Sequence, residues 1–236
     1  MVTKLHIIYR CCELETGSKP KRDCRPHWFS KEKCLMNLLD EFKFKQANNL
    51  CDVRFSAIHD GPVGPLYDIL NDYNWINVDK INYSSNEMSL AATLDHAMGI
   101  PETDYIYFVE DDYLHKSGAI NALLKGFEFN SLVTLYDHPD RYTRTDDVDY
   151  GRTQVFIDNS NNCYWRTAES TTCTWAVTQD LFIYRVHKLA NRYLLKDREL
   201  FRALYKENTK LLSPMSGFST HCHEPFLSPF VDWSNI

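Results

Sequence analysis

The sequence predicts an α/β protein: one domain built on a mixed, mostly parallel central sheet flanked by helices. Three observations predict it. Strand-like and helix-like stretches alternate through roughly the first 110 residues, the order that produces a parallel sheet with right-handed crossovers. The run Tyr105-Ile106-Tyr107-Phe108-Val109 is apolar without alternation, as in a strand covered on both faces. A chain of 236 residues that is 44% hydrophobic supports one substantial core and is short for two.

The elements follow in order. Leu5-His6-Ile7-Ile8-Tyr9 reads as the first strand, and the apolar run is too short for a signal peptide. Residues 13–30, with Gly17, Pro20, Arg25, Pro26, His27 and Trp28, form a turn-rich surface loop. Ser30 is an N-cap for a helix over 31–47, where Cys34, Leu35, Leu38, Leu39 and Phe42 recur at helical spacing. Val53, Phe55 and Ala57 alternate in a strand over 52–58 that stops at His59-Asp60-Gly61-Pro62. A short helix over 66–71, a strand over 75–81 and a helix over 86–98 come next. The apolar strand then ends in Glu110-Asp111-Asp112. Beyond it, Ile120, Leu123, Leu124 and Phe127 mark a helix, and 131–136 a strand. Residues 137–162 are a long polar loop or flap whose Asp146, Asp147 and Asp149 are read as solvated. Strand formers over 163–177 predict a hairpin. Two helices, over 179–194 and 197–208, lead into a C-terminal stretch containing Ser219-Thr220-His221-Cys222-His223-Glu224.

Composition excludes some partners. A net charge of −6 with scattered Lys and Arg offers no basic face for nucleic acid and no polybasic tract for an anionic membrane. No stretch approaches the ~20 apolar residues of a membrane span, so a cytoplasmic location is expected. The eight cysteines lie mostly inside predicted elements, with no CxxC pair and no secretory signal, which favours reduced thiols. A zinc site from His221, Cys222, His223 and the Cys11-Cys12 pair stays open on spacing alone.

Three adjacent carboxylates at a strand end repel one another unless a hard divalent cation neutralises them; the alternative is a solvated acidic turn. In α/β sheets ligands collect beyond the carboxyl ends of such strands. This placement, followed by a mixed second half, a late Ser-Thr-His, Leu227-Ser228-Pro229 and Asp232-Trp233, resembles the small, family-2-like GT-A glycosyltransferases with a DxD-type motif, here written EDD. The resemblance runs from Leu5 to Trp233. It implies a GT-A (Rossmann-like) sheet, with residues 1–115 binding a nucleotide-sugar donor, UDP- or GDP-linked, and 116–236 binding a glycan or glycoconjugate acceptor.

By that resemblance Asp112 is the main protein ligand of Mn2+ or Mg2+, and His221 the second. Glu110, in the first acidic place where the family has Asp, and Asp111 contact the donor, as do Asp60, Tyr9 and Arg10. The implied activity is sugar transfer to an acceptor hydroxyl with inversion, Asp197 serving as the carboxylate base and Glu199 as its alternative. Asp197 is equally a helix-starting residue. Trp165, with Tyr164 and Trp28, is a candidate for stacking on the acceptor. The competing expectations are a metal-dependent nucleotidyltransferase, whose triphosphate loop would have to come from Gly17, Lys19, Lys21 and Arg22, and a catalytically silent sugar-binding module.

Overall fold

The structure, a computed structural model, describes residues 2–14, 24–47, 51–143, 155–158, 163–172, 174–194 and 196–236. Gly17, Lys19, Lys21, Arg22, Asp146, Asp147, Asp149 and Cys173 lie outside the described residues. Strand β1 (Lys4–Cys11) pairs in parallel with β2 (Asp52–Asp60) on one side and β4 (Tyr105–Glu110) on the other, and β3 (Ile76–Ile81) extends the sheet beyond β2. Helices α1 (Lys31–Ala47), α2 (Pro65–Asn71) and α3 (Asn86–Gly99) make the crossovers. This half follows the predicted alternation.

Beyond β4 the sheet continues with β9 (Trp175–Thr178), β6 (Leu132–Val133), β10 (Leu211–Met215), β8 (Cys163–Ala168) and β7 (Val155–Asp158), giving nine strands among the described residues. Only β9 and β8 run against the others. The sheet is therefore mixed and mostly parallel. A separate pair, β5 (Tyr113–His115) with β11 (Ser219–His221), projects from its carboxyl edge.

Side chains alternate between the two faces of β1, as the two-residue period of a strand requires. Leu5, Ile7 and Tyr9 pack with Leu35, Leu38 and Leu39 of α1, Leu66 and Leu70 of α2, and Ile120 and Leu123 of α4 (Ala119–Phe127). On the opposite face Ile8, Ile58, Ile106 and Phe108 meet Leu94 of α3. There they also meet Phe182 and Val186 of a π-helical turn, and Leu200, Phe201 and Leu204 of a later helix. A small third cluster joins Cys34 and Leu114 to Cys222 and Trp233. No described helix is long and apolar enough to cross a membrane.

Four expectations are corrected. The strand formers over 163–177 make no hairpin with one another, because β6 and β10 lie between β8 and β9; β8 instead pairs antiparallel with β7, which lies inside the stretch read as a loop. That stretch also holds a short helix, α5 (Asp140–Thr143). The predicted helix over 179–194 is α6 (Gln179–Leu181), the π-helical turn Phe182–Val186 and α7 (His187–Arg192) in succession. The strand expected over 131–136 pairs regularly only at Leu132–Val133, and Tyr136 bridges Ser219 instead.

Candidate active site

Glu110, Asp111 and Asp112 stand at the carboxyl end of β4, beside the end of β1, where Arg10 and Glu110 are register partners. Each carboxylate meets a cation of its own. The Arg10 guanidinium pairs with Glu110 and donates to the Asn86 side-chain oxygen at 2.5 Å. Lys31 Nζ lies 3.0 Å from Asp111 Oδ2, which also accepts from the Cys12 backbone N–H at 3.0 Å. Arg25 donates to Asp112 Oδ2 at 2.9 Å, and its other nitrogen donates to the Cys222 carbonyl at 2.7 Å.

His221 reaches the same oxygen: Nε2 donates to Asp112 Oδ2 at 2.9 Å. It is held there by the short β5–β11 pair, in which His221 is the register partner of Tyr113, and by stacking against Tyr113, Phe226 and His223. The Cys222 backbone N–H donates to the Asp112 carbonyl at 2.8 Å, fixing the two segments together. Asp112 Oδ1 is buried with no hydrogen-bond partner.

These contacts separate two neighbouring carboxyls. Burial pushes Asp111 above the usual carboxylate range; Lys31 pulls against this and Asp112 adds to it. Burial acts on Asp112 in the same sense, but His221 and Arg25 outweigh it and hold Asp112 well below that range. Two adjacent carboxyls with affinities pushed apart by specific partners are characteristic of functional sites.

No protein-family model matches the sequence, and no curated protein matches it. Solved structures do match. A structure of GalNAc-T7 with UDP, GalNAc and Mn2+ superposes with a TM-score of 0.58 at 9% identity, covering 93% of this chain and 43% of that one. Residues 1–349 of S. aureus TarS superpose at 0.50 and 12% identity, over 89% of this chain and 58% of that one. The fold is GT-A. The chain spans only about half the length of these two structures.

Within the GT-A frame the structure gathers Arg10, Glu110, Asp111, Asp112 and His221 into one cluster. Asp60 ends the adjacent strand β2, and its Oδ1 accepts from the backbone N–H groups of Tyr83 at 2.7 Å and Ser84 at 3.1 Å. Tyr9 is 1% exposed and packs on Phe55 in the core, with Asp111 and Asp112 among the charges felt by its hydroxyl, so its ring presents no surface to a donor. Trp165 is a second correction. Its ring is fully buried, close enough to Gly126 that an added Cβ there would lie 3.1 Å from it, and no sugar can stack on it. Tyr164, Tyr142 and Phe230 are exposed aromatic residues of the second half.

Asp197 and Glu199 lie in the first turn of helix α8 (Asp197–Lys206), whose Arg198 and Arg202 bind Glu169. This helix packs on the face of the sheet carrying Ile8 and Phe108.

Sequence reasoning missed Arg25, Lys31 and Asp137. The first two are single cations in or just after a polar loop, without periodicity to mark them. Asp137 is fully buried, accepts from Arg166 at 2.5 Å and Tyr142 at 2.6 Å, and is pushed above the usual carboxylate range by burial. Only its position directly after a buried strand hinted at it.

The donor set for a divalent ion is small. Among the described residues no three or more His, Cys, Asp or Glu side chains converge as a metal cluster, which also leaves the zinc alternative without a site. Asp112 and His221 are the pair that fits, because Oδ1 of Asp112 is a buried, unpartnered hard donor beside an imidazole.

Proposed function

We propose that the chain is a glycosyltransferase that moves a sugar from a nucleotide-diphosphate sugar, UDP- or GDP-linked, to a hydroxyl of a glycan or glycoconjugate acceptor. The observation that supports it most is the meeting of Asp112 and His221, 109 positions apart, at the carboxyl end of β4 on a GT-A frame. Residues 1–115 would bind the donor and 116–236 the acceptor. Asp112 and His221 would hold Mn2+ or Mg2+, and the ion, when bound, supplies Lewis-acid stabilisation of the departing diphosphate.

The chain's own groups then have distinct tasks. Lys31 and the Cys12 N–H position the Asp111 carboxyl. Arg25 adds positive charge beside the diphosphate, where charge develops as the sugar leaves. Arg10 orients Glu110 at the donor side, and Asp60 shapes the turn after β3 through Tyr83 and Ser84. An inverting transfer needs a base on the far side of the sugar ring, and Asp197 is the proposed base, with Glu199 as its alternative.

Melting the protein with UDP, GDP, CMP or dTDP and their sugar conjugates, each with Mn2+, Mg2+ or EDTA, tests the reading. A ligand at a hundred times its dissociation constant stabilises by ~2.7 kcal/mol, a shift of several degrees. One nucleotide family should stabilise only in the presence of metal. If no nucleotide moves the midpoint with either metal, the proposal fails.

A further inference from the structure

The parallel half of the sheet is roofed unevenly. Helices α1 and α2 cover one face, whereas on the other α3 lies over β1 and β2, through Leu94 and Ala97 against Ile8 and Ile58. Toward the amino ends of the strands, at the end of the sheet opposite the acidic triplet, this leaves a cavity of about 620 Å3. That volume lies within the ~300–1,000 Å3 of small-molecule sites. Its polar lining includes His6, Arg54, Ser56 and Asn77 from the strands and Asp95 and His96 from α3.

Two imidazoles in this lining are incompletely bonded. His6 is 5% exposed; its Nε2 meets Ser56 Oγ at 2.8 Å, and its Nδ1 is buried without a partner. His96 Nδ1 donates to Asp79 Oδ2 at 2.7 Å, and its Nε2 is likewise buried without a partner. The two rings are 6.5 Å apart, edge to face. Buried polar atoms in native proteins nearly always find a partner, and an orphan calls for an explanation.

We infer that this cavity binds a neutral, polyhydroxylated ring, that is, a sugar. The bonds already made decide the chemistry. Because an ionised Asp79 only accepts, His96 Nδ1 carries a proton and Nε2 is the ring position left for a ligand. His6 Nδ1 donates or accepts according to how Ser56 is oriented, and a hydroxyl satisfies either case. Burial first, then the neighbouring His96 and Arg54, lower the His6 affinity for protons to a value of about 4, so the ring is neutral near pH 7. Charge argues against an anion: the guanidinium of Arg54 is outnumbered by Asp52 and Asp95 in the same wall. Ile100 and Pro101 at the rim add an apolar surface for the C–H face of a sugar. The inference is independent of the chemistry at Asp112, which lies at the other end of the strands.

The experiment follows the imidazole 1H–15N signals of His6 and His96 in the full chain. Maltose, lactose and N,N′-diacetylchitobiose are titrated in turn, and inorganic phosphate separately. At least one disaccharide should shift both histidines saturably while phosphate leaves them unmoved. His96→Ala, and Arg54→Ala on the exposed rim, should weaken that sugar's binding by roughly fivefold to tenfold, the loss of one hydrogen bond. Asp112→Ala should not change it. Shifts with phosphate but no sugar overturn the inference in favour of an anion site, and shifts with neither leave only a solvated cleft. Sugar binding that disappears in Asp112→Ala and survives in His96→Ala places the sugar at the triplet instead, and overturns it equally.

Discussion

At Asp112 a guanidinium and an imidazole share one carboxylate oxygen while the other oxygen is bare. A carboxylate at a strand end carries no core packing, so Asp112→Ala is expected to fold, with an unchanged far-UV spectrum, and to lose metal-dependent turnover altogether. Full turnover in a folded Asp112→Ala protein would sink the metal assignment. His115 tests a different residue-level force. Burial lowers its value from the ordinary 6.5 to about 3, and its Nε2 is bonded to the Tyr107 hydroxyl at 2.8 Å. Below pH 6.5 the unfolded chain binds a proton that the folded one refuses. This contribution to stability is therefore complete above pH 6.5 and lost as pH falls toward about 3, by at most ~1.4 kcal/mol per pH unit. His115→Gln keeps a polar partner for Tyr107 but does not titrate, so its urea midpoint should fall less steeply than that of the parent between pH 6.5 and 4. Parallel curves refute the assignment. The triplet stood out in the sequence as carboxylates closing an apolar run, whereas His221 was marked only by the family resemblance; their contact is what the structure adds. The burial of Trp165 was not legible, since a large aromatic reads alike in a core and on a sugar.

At the scale of elements, periodicity marked the long ones and could not mark the short ones. Helix α1 and strand β2 carry enough apolar positions to display a period, whereas β6 has two residues and β11 three. Strand β10 contains Pro214, which lacks a donor for the ladder and argues against a strand in any local reading. Partner choice is the second thing a local pattern lacks: β8 and β9 were recognisable as strand formers, but β10, more than thirty residues later, is what separates them together with β6. Helix α8 presents the open functional question. Asp197 is its first residue, suited to the positive end of the helix dipole, and the same position suits a base at the edge of a site. Asp197→Asn should lower the turnover number at least tenfold with donor affinity unchanged if the side chain is the base. An unaltered turnover number returns Asp197 to a purely helical role.

For the whole molecule, part of the site comes from outside the nine-stranded sheet. Strand β11, His221, Cys222 and Trp233 all lie outside that sheet, yet they close over Asp112 and Leu114. A chain truncated after Gly217 should therefore keep most of its far-UV spectrum, melt at a lower temperature, and gain nothing from nucleotide with metal. A retained metal-dependent shift would show that His221 is dispensable. The cations on the triplet have a further meaning when the protein is followed from its synthesis. Arg10, Arg25 and Lys31 all precede residue 110, so as each carboxylate leaves the ribosome its counter-charge has already been made. The nascent chain can tuck three acids against a sheet edge without an ion, and the imidazole arrives last. Until residue 221 emerges, the pair of ligands proposed for a metal is incomplete.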